Sequence, residues 1–373
     1  MSILTPLADL VRARPWRAHV RPGWLGTQRR GAPRSKIQES FAGRFQPPGA
    51  SSWQAELKAA VRDAGELCQR LHLPPQLVAG SAAAAGEFPV FVPPAYLARI
   101  VPGDPTDPLL RQVLPVAAES LPAAGFTADP VADAAARDQP GLLRKYAGRA
   151  LLVTTGACAV HCRYCFRHHY PYEETPHADA AWEPALAAIA ADPTLHEVIL
   201  SGGDPLMLVD DRLARLADRI AAIPHVARLR VHTRLPIMIP GRVTDELLTW
   251  LAGGRLAPVM VIHANHAREI DEEVAAALDR LCRAGVLLLN QAVLLAGVND
   301  SADALCALSE RLVAVGVTPY YLHQLDRVAG AAHFEVAEDR GRAIVAEMQR
   351  RLPGYMVPKY VREVAGEASK MPI

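Results

Sequence analysis

Three of the six cysteines in this chain lie within eight positions of one another. Cys158, Cys162 and Cys165 give the spacing C-x3-C-x2-C inside the segment GACAVHCRYCFRHHYPY at 156–172. A cluster this dense, beside arginine and histidine residues, is not typical of structural cysteines, which behave as small buried apolar residues. The spacing therefore predicts metal binding or redox chemistry. The remaining cysteines are scattered along the chain: Cys68, Cys282 and Cys306.

Three kinds of site stay open on this spacing alone. A structural zinc ion needs four ligands and would have to recruit a nearby histidine such as His168. A C-x2-C dithiol could use Cys162 and Cys165, but it leaves Cys158 unexplained. An iron–sulphur cluster takes thiolate ligands. Three thiolates on a four-iron cluster leave one iron open to a reacting molecule, as the open position of a catalytic zinc does.

The composition narrows the class of protein. The chain has 373 residues and a net charge of +1, half of its residues are apolar and 21% are charged. This is an ordinary globular balance, with no reason to expect a nucleic-acid or membrane partner. No apolar run approaches the roughly 20 residues that span a bilayer, and Arg12 and Arg14 interrupt the apolar stretch near the start, which argues against a secretory signal. Clustered thiols without such a signal favour a reducing compartment, so we expect a cytoplasmic protein.

Four segments are expected along the chain. Residues 1–45 form a basic leader, with eight Lys/Arg against two acidic residues in the first 40 positions. A disordered extension, an upstream extension of the true start and an organellar transit peptide all fit this leader. Residues 46–140 form a mainly helical accessory region that prolines interrupt. Residues 141–335 form the main α/β unit, and residues 336–373 form a C-terminal helix and tail.

Short β-rich runs alternate with helical stretches in the main unit. After the first run, their starts are about 30 residues apart. Strand–helix alternation predicts a parallel sheet with crossover helices, and six such units predict an incomplete barrel with its chemistry at the carboxyl ends of the strands. The predicted strands lie within 150–156, 196–203, 227–234, 257–266, 286–297 and 317–325. Polar groups at their carboxyl ends are Ser201–Asp204, His232–Arg234, His263–His266 and Gln291.

The motif C-x3-C-x-aromatic-C, with Tyr164 as the aromatic residue, resembles that of radical S-adenosylmethionine (radical SAM) enzymes. The resemblance implies that the three cysteines hold a [4Fe–4S] cluster whose fourth iron binds S-adenosylmethionine. It also implies a partial (β/α)6 barrel, in agreement with the six units above. A tight turn that needs glycine is the structural alternative for the SGGD segment that follows. By resemblance, this segment receives the methionine amino group: Ser201, Gly202, Gly203 and Asp204.

Further blocks resemble the lysine 2,3-aminomutase family of radical SAM enzymes. They are CRYCFR, SGGDPL, HTRLPI, NQAVLLAGVND and PYYLHQLDRVAGAAHF, and the match runs from about residue 88 to the end. VPPAYLARIVPGDPTDPLLRQVLP and YVREVAGEASKMP resemble the branch that serves β-lysylation of elongation factor P (EF-P). The resemblance implies an α/β fold: a partial (β/α)6 radical SAM barrel with an N-terminal mainly helical accessory region and a C-terminal cofactor-binding tail.

The family carries pyridoxal 5′-phosphate on a lysine near its C-terminus, and by position that residue is Lys370. A primary amine is required, because it must bond to the aldehyde of the cofactor and later give way to the substrate amine. Free-lysine members have a glycine-rich run before this lysine, whereas this chain has AGEAS at 365–369. The resemblance also assigns cofactor contacts to Tyr146, Arg149 and His232.

Three charged residues correspond to substrate contacts in the family. Arg167 would bind the lysine carboxylate, because a guanidinium can fork bidentately onto a carboxylate. Asp300, in GVND, and Glu363 would hold the ε-ammonium, and Glu363 stands where free-lysine enzymes have an aspartate. A surface charge or a turn is the alternative for each of them, since Asn299–Asp300 is a good turn pair.

The implied reaction is an isomerisation of (S)-α-lysine to (R)-β-lysine, started by a radical after a donor such as flavodoxin or ferredoxin reduces the cluster. A separate ligase would then attach the product to EF-P. Two alternatives stay open. One is a free-lysine 2,3-aminomutase in lysine catabolism or β-lysine osmolyte synthesis, and the other is a non-enzymatic zinc or iron–sulphur binding protein.

Overall fold

One sheet organises the chain, and its strands follow one another in the sheet in the order in which they occur in the sequence. This computed structural model describes residues 52–77, 88–174 and 178–373, so the predicted leader at 1–45 lies outside the described residues. The described strands are β1 (Arg137–Gln139), β2 (Leu142–Leu143), β3 (Arg149–Thr155), β4 (Glu197–Gly202), β5 (Arg228–Thr233), β6 (Ala257–Ile262), β7 (Leu287–Val293), β8 (Thr318–His323), β9 (Lys359–Arg362) and β10 (Met371–Pro372).

The central part of the sheet is parallel. Each strand from β3 to β9 pairs in parallel with the next one. The hairpin β1–β2 adds to β3 in the antiparallel sense, and β10 adds to β9 in the same sense. All six predicted strands are therefore confirmed as β3 to β8. With β1 and β10 at its two edges, the sheet forms the expected partial barrel and not a closed one.

Helices cover the outer face of the sheet. The helix α6 shows why they form: it buries Leu213, Leu216 and Ile220 on one stripe, and each fully buried side chain of this kind contributes roughly 1.5–3 kcal/mol. The described α-helices are α1 (Trp53–Lys58), α2 (Ala64–Arg70), α3 (Pro94–Leu97), α4 (Pro108–Arg111), α5 (Glu183–Ala191), α6 (Asp210–Ala221), α7 (Leu235–Met238), α8 (Asp245–Ala252), α9 (Glu272–Arg283), α10 (Ala302–Ala314) and α11 (Glu338–Arg351). Within the described residues, none of the helices has both the length and the apolar character needed to cross a membrane.

The accessory region consists of short helices separated by turns. The sequence 51–73 has continuous helical spacing, but the structure divides it into α1 and α2. Val61 causes the break, because its N–H donates to the carbonyl of Val92 and its carbonyl accepts from the N–H of Val92, both at 2.9 Å. Asp63 then starts α2 by accepting a hydrogen bond from the backbone N–H of Glu66 at 2.8 Å.

The C-terminal tail joins the barrel as additional strands. Tyr321 of β8 pairs with Lys359 of β9, and Arg362 of β9 pairs with Met371 of β10. Lys370 is adjacent to this last pair, so the tail carries it back to the barrel.

Candidate active site

A cavity of about 500 Å³ opens at the carboxyl ends of the barrel strands. It is lined by loops that follow β3, β4, β5 and β8, and by the C-terminal tail. All the predicted site residues except Asp300 line it: Tyr146, Arg149, Cys158, Cys162, Cys165, Arg167, Ser201, Gly202, Gly203, Asp204, His232, Glu363 and Lys370.

The three clustered cysteines lie on the loop that follows β3, and none of them forms a disulfide. Burial raises the pKa of the Cys158 thiol well above its ordinary value and that of Cys165 to about 12, and the neighbouring cysteines add to both shifts. Thiols of this kind lose their protons when they bind a metal, which is the chemistry of an iron–sulphur ligand set. Among the described residues, no three or more His, Cys, Asp or Glu side chains converge to hold a single metal ion.

The glycines of the SGGD segment allow the loop after β3 and the end of β4 to approach closely. Gly202 has a φ of +133°, and a Cβ atom there would lie 2.4 Å from the carbonyl oxygen of Thr155. A Cβ atom on Gly203 would lie 2.4 Å from the carbonyl oxygen of Ala157. Only glycine fits at both positions. The backbone N–H of Asp204 donates to that same Ala157 oxygen at 2.8 Å, which fixes the cysteine loop to the sheet.

The carboxylate of Asp204 accepts several hydrogen bonds from other parts of the protein. It accepts hydrogen bonds from the Thr233 hydroxyl at 2.8 Å, from the backbone N–H of Arg234 at 2.8 Å and from the backbone N–H of Leu235 at 3.1 Å. Burial nevertheless raises the pKa of Asp204. The structure thus shows Asp204 holding the end of β5, in addition to lining the cavity.

A chain of alternating charges crosses the cavity from the cysteine loop to the tail. The Arg167 Nε donates to Asp133 at 2.7 Å. Lys145 bridges Asp133 and Glu363, with 2.7 Å to each carboxylate. The Lys370 amine donates to the other oxygen of Glu363 at 2.6 Å. Neither Asp133 nor Lys145 was predicted from the sequence, because a contact between accessory region and tail has no local sequence signal.

Among the described residues, several groups that line the cavity have buried polar atoms without a hydrogen-bond partner, and two of these groups, Arg149 and His232, are predicted cofactor contacts. Arg149 stacks its guanidinium 4.7 Å from the ring centre of Tyr146, and its Nε is buried without a hydrogen-bond partner in the described part of the chain. The Nε2 of His232 is buried and equally without a partner there. Burial, followed by the charge of Arg230, lowers the pKa of His232 well below its ordinary value, so the ring is neutral. Buried polar atoms left in this state fit a bound polar ligand.

His168 and His169 form part of an aromatic stack beside the cysteine loop. The His168 ring lies 3.9 Å from the ring centre of Phe88 and 4.5 Å from that of His169. Burial lowers the pKa of His168 to about 4, with a further contribution from His169. These contacts are packing contacts, and they assign no ligand to either histidine.

Asp300 lies away from the cavity. It directly precedes Ser301, the N-cap residue of α10, and its backbone carbonyl accepts a hydrogen bond from Arg340 at 3.5 Å. The turn in GVND thus leads into an outer helix. The structure instead places the carboxyl group of Asp326 in the cavity lining, and this residue was not predicted from the sequence. Its position directly after the predicted strand at 317–325 was the available signal.

Asp326 is an unpaired carboxyl group among the described residues. Burial and then the nearby Glu363 raise its pKa to about 7, whereas the cations of Lys370 and Lys145 act in the opposite sense. Glu363, which is paired with both lysines, has its pKa lowered to about 2 despite its burial. The cavity therefore offers one fixed carboxylate and one that ionises most readily beside an additional cation.

Known proteins similar to this chain are lysine 2,3-aminomutases. The chain is 47% identical to the L-lysine 2,3-aminomutase of Escherichia coli (strain K12), over 87% of this chain and 95% of that protein. It is 46% identical to the L-lysine 2,3-aminomutase of Haemophilus influenzae, over 86% and 94%, and 33% identical to that of Clostridium subterminale, over 87% and 78%. A solved radical SAM methyltransferase from Sphaerobacter thermophilus gives a TM-score of 0.43 at 18% identity, over 59% of this chain and 68% of that chain. No protein-family model matches the chain.

A partial α/β barrel with a three-cysteine loop after its first parallel strand defines the class of radical SAM enzymes. The chain belongs to the lysine 2,3-aminomutase family, and it is an isomerase of the aminomutase type. Membership of this family implies a [4Fe–4S] cluster, S-adenosylmethionine and pyridoxal 5′-phosphate, together with lysine as substrate and an electron donor. The cavity fits these groups, since it offers three thiols, a strand end with two glycines, the guanidinium of Arg149 with a buried Nε that has no partner in the described residues, and the primary amine of Lys370.

Proposed function

We propose that this chain converts (S)-α-lysine to (R)-β-lysine for the β-lysylation of EF-P, with pyridoxal phosphate on Lys370 and the cluster on Cys158, Cys162 and Cys165. The observation that carries the proposal is that one cavity of about 500 Å³ contains both the three thiols and the tail lysine. Radical chemistry on a substrate held by a second cofactor requires both groups within one enclosed space.

When bound, S-adenosylmethionine supplies a carbon-centred radical and pyridoxal phosphate supplies a carbonyl that bonds the substrate amine. Glu363 holds the Nζ of Lys370 at 2.6 Å and so aims the amine into the cavity. Arg149 has no carboxylate partner among the described residues, and its guanidinium suits a phosphate group. His232 is neutral and can donate or accept a hydrogen bond at the cofactor.

Arg167 is the proposed site of the substrate carboxylate. Its Nε donates to Asp133 at 2.7 Å and one terminal nitrogen donates to the Ser201 hydroxyl at 3.1 Å. These two contacts hold the guanidinium plane in place and leave other N–H donors of the fork for a carboxylate. Asp133 thus positions the arginine without using all of its donors.

Asp326 and Glu363 are the proposed site of the ε-ammonium. Both carboxyl groups line the cavity, and the charge of Glu363 raises the pKa of Asp326. A substrate ammonium placed between them would favour ionised Asp326, because an opposite charge lowers the pKa of a carboxyl group. In this proposal, Asp326 takes the role that the sequence assigned to Asp300.

The Asp326→Asn variant is expected to raise the KM for lysine by about 10- to 100-fold with a smaller change in kcat, because it removes one charged hydrogen bond worth roughly 1.5–3 kcal/mol. In the unmodified enzyme, KM should rise as the pH falls below about 7, where Asp326 becomes protonated. Steady-state kinetics across this pH range measure both effects. The Asp326→Asn variant should lose the pH dependence.

Asp339→Asn, at an exposed position on α11, is the matched control and should keep the KM of the parent enzyme. Asp300→Asn separates the two assignments directly. A large rise in KM for Asp300→Asn together with an unchanged KM for Asp326→Asn contradicts the role of Asp326.

Two sequence features support the EF-P branch over a free-lysine enzyme of catabolism or osmolyte synthesis. They are Glu363 in place of an aspartate and AGEAS in place of a glycine-rich run. The proposed partners are an EF-P lysyl ligase, EF-P itself and a flavodoxin or ferredoxin as donor. Reduced thiols favour the cytoplasm as the compartment.

Anaerobic reconstitution tests the function. The full chain is loaded with iron, sulphide and pyridoxal phosphate, mixed with S-adenosylmethionine, lysine and a reductant, and assayed for β-lysine. A strain that lacks this gene is then examined for β-lysine in acid hydrolysates of its EF-P. We expect β-lysine in the first assay and its loss from EF-P in the second. Turnover of free lysine with unchanged EF-P would leave the catabolic or osmolyte alternative.

A further inference from the structure

A buried polar network lies against Cys162. One terminal nitrogen of Arg234 donates to the Cys162 sulphur at 2.7 Å. The other terminal nitrogen donates to Gln112 Oε1 at 2.6 Å and to Glu269 Oε2 at 2.7 Å. Arg234 is 6% exposed and Glu269 is fully buried. The guanidinium therefore brings a positive charge to the sulphur of a partly buried cysteine, and the guanidinium itself is almost fully buried.

The guanidinium is held rigidly in this position. The second oxygen of Glu269 accepts from the backbone N–H of Asn265 at 2.8 Å and of His266 at 3.0 Å, so the carboxylate itself cannot turn. At its other end, the backbone N–H of Arg234 donates to the buried carboxylate of Asp204 at 2.8 Å. Backbone and side chain are thus both anchored, and the direction of the N–H bond toward sulphur is fixed before any ligand binds.

Aromatic rings complete the enclosure of this arginine. The ring centres of Tyr96 and Tyr164 lie 5.8 Å and 5.7 Å from the guanidinium carbon. Gln112 follows α4, so the accessory region takes part in the arrangement. A surface arginine reaching sulphur by chance would lack these contacts, since exposed side chains keep their rotamer freedom.

We propose that Arg234 is a positioning residue that hydrogen-bonds the Cys162 ligand sulphur and raises the reduction potential of the cluster. An N–H donor and a fixed positive charge stabilise the more negative, one-electron-reduced form more than the oxidised form. The electron comes from a low-potential one-electron donor, and Arg234 itself is neither oxidised nor reduced. The inference rests on the proposed function, because it takes Cys162 to be a cluster ligand.

The test is a redox titration of the reconstituted full chain without S-adenosylmethionine, followed by electron paramagnetic resonance of the reduced cluster. Arg234→Lys keeps the charge but cannot reach Cys162 and Glu269 together, because it has no fork. We expect its ratio of reduced to oxidised cluster to fall at least tenfold at a fixed potential, which equals about 59 mV for a one-electron couple. Arg242→Lys is the control, since Arg242 is equally buried and pairs with Asp210 away from the cysteines.

A second variant keeps the inference testable if Arg234→Lys does not fold. The double variant Arg234→Met/Glu269→Gln removes both buried charges together, which avoids an unpaired Glu269, and it should show the same lowered potential. An unchanged potential, or an equal shift in Arg242→Lys, overturns the inference. A shift that occurs only after S-adenosylmethionine is added also overturns it, and assigns Arg234 to that ligand. Failure of the parent chain to load a cluster contradicts the proposed function instead.

Discussion

The Lys370→Ala variant is expected to bind no pyridoxal phosphate covalently and to have no measurable aminomutase activity. The Nζ of Lys370 reaches the cavity and contacts Glu363 at 2.6 Å. Alanine at this position leaves no amine to bond the aldehyde. The tail should still fold, because Glu363 keeps its ion pair with Lys145 at 2.7 Å. Absorbance of the bound cofactor and β-lysine formation measure the two losses.

Lys145 is the other lysine of the cavity, and its contacts explain why it is not the expected attachment site. Its amine has three acceptors: the carbonyl of Val131 at 2.9 Å, Asp133 at 2.7 Å and Glu363 at 2.7 Å. Although burial acts to lower the pKa of Lys145, the two carboxylates raise it. Among the described residues, the Lys370 amine has one such acceptor, Glu363 at 2.6 Å, whereas three acceptors hold the Lys145 amine, so we expect Lys145 to stay a fixed cation.

Borohydride reduction followed by peptide mapping distinguishes the two lysines. The pyridoxyl label that reduction fixes to the protein should lie on Lys370 in the parent chain and should be absent from the Lys370→Ala variant. Lys359→Ala is the matched control, since Lys359 is an exposed lysine on the adjacent strand β9, and it should keep label and activity. A label on Lys145 in the parent chain contradicts the assignment, and so does full activity in Lys370→Ala.

The barrel strands were predictable because each combines a β-rich run with a turn signal, and the same unit recurs about every 30 residues. The division of 51–73 into α1 and α2 was not predictable from the sequence, because it depends on pairing between Val61 and Val92. Local periodicity contains no information about a partner 31 positions away. The predicted domain boundaries stay predictions, as does the nature of the leader.

The residues of the candidate site also fall into those that the sequence predicts and those that only the folded chain shows. Residues within motifs, such as Cys162 and Gly203, follow from spacing and from the strand that precedes them. Asp133, Lys145 and Gln112 reach the site from the accessory region or the segment that follows it, and only the folded chain shows which side chains they meet. Such contacts have large sequence separations, so no spacing rule reveals them.

The Cys162→Ala variant is expected to lose most of its iron and acid-labile sulphide and all aminomutase activity. Three thiolates are the minimum that the proposed cluster uses, and a remaining pair cannot replace the missing ligand. The parent chain should load about four irons and four sulphides. The loss also leaves Arg234 without its sulphur partner, although Glu269 still compensates the charge.

Cys282→Ala is the control, because this cysteine is partly exposed and is not part of the cavity lining. Its thiol donates to the backbone carbonyl groups of Val315 at 3.9 Å and Gly316 at 3.6 Å. This variant should bind iron and sulphide, and should form β-lysine, like the parent chain. Metal analysis also tests which metal this site binds. One zinc and no sulphide in the parent chain would contradict the proposed cluster, whereas iron with sulphide that depends on Cys162 leaves an open iron as the reason for three thiolates and not four.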